Sequence, residues 1–169
     1  DTGTARGEGV VTQLTRAPGE LLAYVEPFTQ AQCQTYCPNE ARSAGVLVHH
    51  VAMAVGNLTP LIVDVAEGRA FPPLTSEMID HNNARHAEQY ANVGQAETLA
   101  LLRATRRSAA AQLRGLTDTQ VERTTPASVF GPTPVTAQQR TEFLIVWHTH
   151  APPASRQPAT VPRPRPRPA

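Results

Sequence analysis

At 169 residues the chain is long enough for one domain with a tail, and it can bury a core without disulfide staples. Aromatic residues make up only 5%, and the 40% hydrophobic share rests on Ala, Leu and Val, which suits packed helices and argues against a sheet sandwich. All 15 basic residues are arginine. Residues 1–150 hold 11 of them against 14 acids, a balance of −3, while 151–169 hold the other four and no acid, +4, so charge excludes the body as a nucleic-acid-binding surface.

Residues 1–11 are Gly/Thr-rich without apolar periodicity and read as a disordered leader. A first helix is expected over Thr12 to Glu26, with Leu14, Leu21, Leu22 and Val25 in the core; Pro18 and Gly19 weaken it and Pro27 ends it. The loop beyond contains CQTYC. Three residues separate Cys33 from Cys37, which is neither a CxxC redox motif nor half of a four-cysteine zinc site, so both read as ordinary thiols in a reducing compartment. No signal-peptide layout opens the chain and no run approaches 18 consecutive apolar residues, from which a soluble, cytoplasmic protein without membrane contact is expected.

The second helix is expected from about Asn39 to Glu67, stopped by Gly68 and kinked at Pro60. Its stretch RSAGVLVHHVAMAVGNLTPLIVDVA is apolar at helical spacing yet carries two histidines. Val46, Met53, Asn57 and Leu61 fall near His50 on the helix surface, which predicts His50 on an inward face and turns His49 about 100° away. A buried imidazole must satisfy both ring nitrogens. It does so by binding a metal with one and donating with the other, or more plainly as a core histidine bonded to a carbonyl.

Gly68 to Gly94 is too long for a tight helical hairpin and contains a short helix, SEMIDHNNARHAEQYA; such a crossover implies parallel neighbours in a bundle. A third helix spans Ala96 to Leu113, with Leu99, Leu102, Thr105, Ala109, Gln112 and Leu113 near one side and Gly115 as its cap. Its Arg103, Arg106, Arg107 and Arg114 read as a solvated face in preference to an anion site, since Glu97 and other acids dilute them. After a loop rich in Pro and Gly, Thr136 and Gln139 offer a capping box for a fourth helix, TAQQRTEFLIVWHTH.

The segments RSAGVLVHHVA, DHNNARHAE, AETLALLRATRRSAAAQLRGLTDTQVER and PVTAQQRTEFLIVWHTH resemble successive segments of DinB-like proteins, over roughly Leu21 to His150. The resemblance implies an all-α four-helix bundle over 12–150 with one long crossover between helices 2 and 3, which matches the elements counted above. It also implies a divalent metal, zinc first and nickel or iron as alternatives, held by a histidine of the second helix and two ligands one turn apart on the fourth. His50 matches the first position and His148 one of the others. The remaining ligand should stand three or four residues past His148, where Ala151 and Pro152 are found. His150 is the substitute, although two residues along a helix is about 200° of rotation. Asn83-Ala84-Arg85-His86-Ala87 is similar to an Asn-x-x-His-Ala segment near the pocket mouth of some relatives, which makes Asn83 and His86, with His49, substrate-pocket candidates. On residue type alone, His81 and His86 sit on a polar helix and read as solvated. No catalytic residue is assigned.

Residues 151–169, APPASRQPATVPRPRPRPA, hold seven of the 16 prolines and cannot continue a helix, so a disordered Pro/Arg-rich tail is expected. Two origins stand open for it. The lysine-free composition points to a GC-rich gene, in which a one-base shift of Ala-Pro-Pro codons can read His-His in place of Ala151 and Pro152 and so restore a ligand. Alternatively, the tail is a polyproline II segment attracting anions diffusely. The functional expectation is a metal-dependent thiol transferase or isomerase, or a hydrolase, acting on a small molecule with a low-molecular-weight thiol as one cosubstrate class. The other reading is a non-catalytic bundle with a decayed metal site, acting as a homodimeric structural or interaction protein.

Overall fold

The computed structural model describes residues 5–70, 72–125 and 135–136. Helix α1 spans Ala5–Val25, α2 Gln30–Cys33, α3 Ala44–Ala66, α4 Ser76–Gln89, α5 Gln95–Leu113 and α6 Asp118–Val121. Two short antiparallel pairs complete the described elements: β1 (Tyr36–Cys37) with β2 (Arg42–Ser43), and β3 (Thr124–Thr125) with β4 (Val135–Thr136). The chain is thus all-α in its architecture. The expected fourth helix, apart from Thr136, and the tail lie outside the described residues.

The helix starts follow local chemistry. Ser43 Oγ accepts from the Val46 amide at the head of α3, and Thr75 Oγ1 from Met78 at the head of α4. Thr29 with Gln32, and Thr117 with Gln120, form capping boxes for α2 and α6. Helix α1 begins at Ala5, well before Thr12, so most of the expected leader is helical. Gly7 and Gly9 each weaken a helix there, but Glu8 lies in the first turn, where a negative charge suits the dipole, and Val11 packs on the core. Pro18 does not end α1 either. Its ring is fully buried, so packing offsets the missing amide bond. The expected loop around the cysteines instead forms the β1–β2 hairpin, with Pro38–Glu40 as a 3-10 turn and Ala41 left-handed at φ 52.

Two clusters make the core. Val25, Val48, Ala52, Leu99 and Leu102 form one, and Val55, Ile62, Val65, Ala66, Ala109, Leu113, Leu116 and Val121 the other. Early α3 residues meet early α5 residues and late ones meet late ones, so α3 and α5 run parallel, as the crossover required. Helix α1 runs against both, with Val25 in the first cluster and Val11 on the second. Gly56 brings α3 and α5 close: a Cβ there would meet Thr105 Cγ2 at 3.0 Å. Each fully buried aliphatic side chain contributes about 1.5–3 kcal/mol.

The buried residues of α3 are Gly45, Val46, Val48, His49, Val51, Ala52, Val55, Thr59, Ile62, Val65 and Ala66. Of the histidine pair, His49 is the buried one. On the expected face Val46 is buried as predicted, but His50, Met53 and Leu61 are half-buried and Asn57 is exposed, so most of the deepest face lies one residue from the expected one. Helix α3 is apolar on almost every side, and spacing alone does not fix which side turns to α5. Its length and a mean hydropathy of 1.7 also match a membrane span, yet this apolar side is packed against the bundle.

The arginines of α5 are exposed, and two of them reach α1. Arg103 pairs with Glu26, and Arg106 Nε donates to the Thr15 carbonyl at 3.1 Å across Gly19. Gln95 ties the start of α5 to the start of α2, its backbone N–H donating to Gln30 Oε1 at 2.8 Å. At the other end Gly68, φ +90, follows α3, and Arg123 Nη1 donates to the Ala66 carbonyl at 3.1 Å. A Cβ on Gly68 would sit 2.9 Å from that guanidinium nitrogen. Gly68→Ala therefore should lower unfolding free energy by about 1–2 kcal/mol, through the left-handed strain and displacement of Arg123, measured by urea denaturation.

Candidate functional site

His49 enters from the buried face of α3 and His86 from α4, on the one side of that polar helix that turns inward. His49 is 2% exposed and His86 7%. Their rings meet through Nδ1 of His49 and Nε2 of His86, 2.9 Å apart. Tyr90, four residues beyond His86 on the same helical face, lies against both, with ring centroids 4.0 Å from His49 and 4.9 Å from His86. His50 is half-buried beside them, edge-on to His86 at 5.1 Å.

Burial sets the electrostatics. Desolvation lowers the His49 pKa below the ordinary imidazole value, with the negative charge of Glu97 opposing it. Desolvation pushes His86 down to about 4, aided by the neighbouring His49 and the positive charge of Arg42. Both rings are therefore neutral near pH 7, one donating and the other accepting in the shared hydrogen bond. The second nitrogen of His86, Nδ1, is buried without a hydrogen-bond partner among the described residues. Such a group costs roughly 1–3 kcal/mol unless something binds it.

Of the site residues expected from sequence, the structure brings His49, His50 and His86 together and leaves Asn83 half-buried one turn earlier on α4. His81 is exposed. His148 and His150 lie outside the described residues. Among the described residues no three His, Cys, Asp or Glu side chains are grouped to hold a metal. His50 is the described member of the expected ligand set, with its ring edge-on to that of His86. The cysteines are buried free thiols. Burial raises both pKa values, and Glu40 adds to the rise at Cys37, so neither is a ready thiolate.

The sequence did not pair His49 with His86 or include Tyr90. The signal was present in part: His86 and Tyr90 are four residues apart on a helix with few other large side chains to bury.

Compared with known proteins, the profile of the DinB superfamily matches residues 13–150, most of the chain. The chain belongs to the DinB superfamily. No curated protein and no solved structure matches it. The matched range takes in the parallel α3–α5 pair and the crossover between them, and the His49–His86 contact lies where the crossover helix meets α3.

The depressed pKa values fix the sign of one pH effect. In the unfolded chain these imidazoles take up protons near pH 6.5, while in the folded protein His86 does so only near 4. Between those values the unfolded state binds more protons, so acidification destabilises the fold and the loss is complete below about pH 4. Urea unfolding from pH 7 to 4 should show a decline of roughly 1–3 kcal/mol that is smaller in His86→Asn.

Proposed function

We propose that this DinB-superfamily protein is a metal-dependent enzyme acting on a small electrophile, a thiol transferase or isomerase or else a hydrolase. The observation that carries the reading is His50, set on α3 at the edge of a buried histidine cluster in a chain of this superfamily. His50 and His148 would hold the ion, zinc first and nickel or iron next, with His150 the candidate for a third position. When bound, such an ion lowers the pKa of a thiol or water beside it, making the attacking group available near neutral pH.

The chain's own residues would contribute shape and dryness. His49, His86 and Tyr90 bring their rings together at the junction of α3 and α4, with His50 edge-on to His86, and would shield that side of the site from water. Asn83 brings an amide to the same helix one turn earlier, where it can orient a polar substrate group. Cys33 and Cys37 are buried and of raised pKa, so a thiol nucleophile would come from a small-molecule cosubstrate.

A second reading has its own support. Ala151 and Pro152 stand where the remaining ligand is expected, which favours a bundle whose metal site has decayed and which acts through self-association, with exposed Tyr24, Tyr36 and Met78 as apolar surface.

Metal analysis of the purified chain separates the two. The enzyme reading expects a bound divalent ion whose affinity drops at least tenfold in His50→Ala, with circular dichroism unchanged. Equal metal content in wild type and variant would sink it, and a metal-free protein of dimer mass in light scattering would support the second reading.

A further inference from the structure

A threonine inside a helix has a local partner at hand for its hydroxyl, the carbonyl four residues back. Thr12, Thr15, Thr59 and Thr105 each use it, donating to the carbonyls of Glu8, Val11, Val55 and Leu101 at 2.7–3.0 Å. Thr98, near the start of α5, does not. It is 2% exposed and its Oγ1 has no hydrogen-bond partner among the described residues, although the Gly94 carbonyl accepts from its backbone N–H at 3.0 Å. Burial is not the cause, since Thr59 is as deeply buried and still makes the bond. The Thr98 side chain instead forms part of the wall of a cavity of about 10 Å³, where the ends of α1 and α2 meet the starts of α3 and α5.

We propose that this cavity is the binding site of one internal water molecule, held by the Thr98 hydroxyl together with Gln95 and Cys33. Val25, Val48 and Leu99 supply apolar walls around it. The size suits a single water, for which roughly 10–15 Å³ is the minimum, and leaves no room for an organic ligand or a hydrated ion. The polar groups suit it as well. Gln95 uses Nε2 on the Glu26 and Phe28 carbonyls while its Oε1 accepts from no described residue, and Cys33 is a buried free thiol. A hydroxyl both donates and accepts, an amide oxygen accepts and a neutral thiol does either weakly, so a water among the three has the two to four partners that buried waters keep. The bridge removes the cost of the unsatisfied hydroxyl and joins α5 to α2. Val48, on the cavity wall, precedes His49 in α3, so the water belongs to the seat on which the histidine-bearing turn rests.

The test uses the full chain and reads the water itself. Oxygen-17 relaxation dispersion detects long-lived internal waters and is blind to the exchange of hydroxyl protons. Thr98→Val keeps the shape of the side chain and removes its hydroxyl, and it should lose the signal of one water relative to wild type, while Thr98→Ser retains it. In urea, Thr98→Val should raise the unfolding equilibrium constant roughly three- to tenfold. A dry cavity requires the reverse, because the substitution then only removes an unsatisfied hydroxyl and the fold gains stability. An equal water signal in wild type and Thr98→Val overturns the proposal, and so does a stabilised Thr98→Val or a loss in Thr98→Ser as large as that in Thr98→Val. Should Thr98→Val not fold, the wild-type chain decides. A water-to-methyl Overhauser effect at Val48 with the sign of a long-lived water is expected there, and its absence overturns the proposal.

Discussion

The contact on which this structure depends is the parallel packing of α3 against α5. A parallel pair cannot be joined by a tight turn, so the chain must travel the length of the bundle between them, and α4 is carried on that return. Small residues make the approach close. Ala52, Gly56, Ala66 and Ala109 keep the helix surfaces low, and Val, Ile and Leu fill the clusters at either end. Helix α1 then closes one side, strapped by guanidinium groups from α5.

Within that apolar frame the two imidazoles are the unusual feature. Burying a polar ring is unfavourable unless its nitrogens are engaged, and here one hydrogen bond serves two rings while a nitrogen of His86 is left over. Structural economy alone would place a second aliphatic residue on α4 and gain packing without the orphan. The arrangement carries a stability cost, and unsatisfied buried groups of this kind gather at functional sites in proteins generally. Tyr90 supports this, since it covers both rings and limits how far either can turn.

Much of the fold was legible in the sequence because helices announce themselves by period and punctuation. The end of α3, the bounds of α5, the stop at Gly68 and the crossover helix were readable from apolar spacing and turn residues, whereas α3 starts at Ala44, after the β1–β2 hairpin and later than the expected Asn39. The start of α1 was not, because Gly7 and Gly9 hide a segment that tertiary contact through Val11 supports. The face of α3 was misjudged by one residue. An amphipathic helix declares its inner side, whereas α3, apolar nearly all round, takes its orientation from its neighbours, and it is His49 that goes deepest. The burial of His86 was hidden for the opposite reason: the family resemblance marked it as a pocket candidate, but by residue type α4 is polar enough to read as solvated, and its docking reveals the side that is not.

That docking has a further consequence for how the molecule moves. Most residues of α4 face solvent, and the segment preceding it, Pro72 to Thr75, has no regular structure. Elements with little buried apolar area open first, with a free energy well below that of the whole domain. Helix α4 is therefore the natural unit of sub-global opening, a flap hinged on its own loops while the α3–α5 core stays closed. The His49–His86 hydrogen bond is one of the contacts that such opening must break. How often the junction opens is then governed by the local equilibrium of one short helix, and substitutions along its exposed side can tune that equilibrium without touching the buried pair.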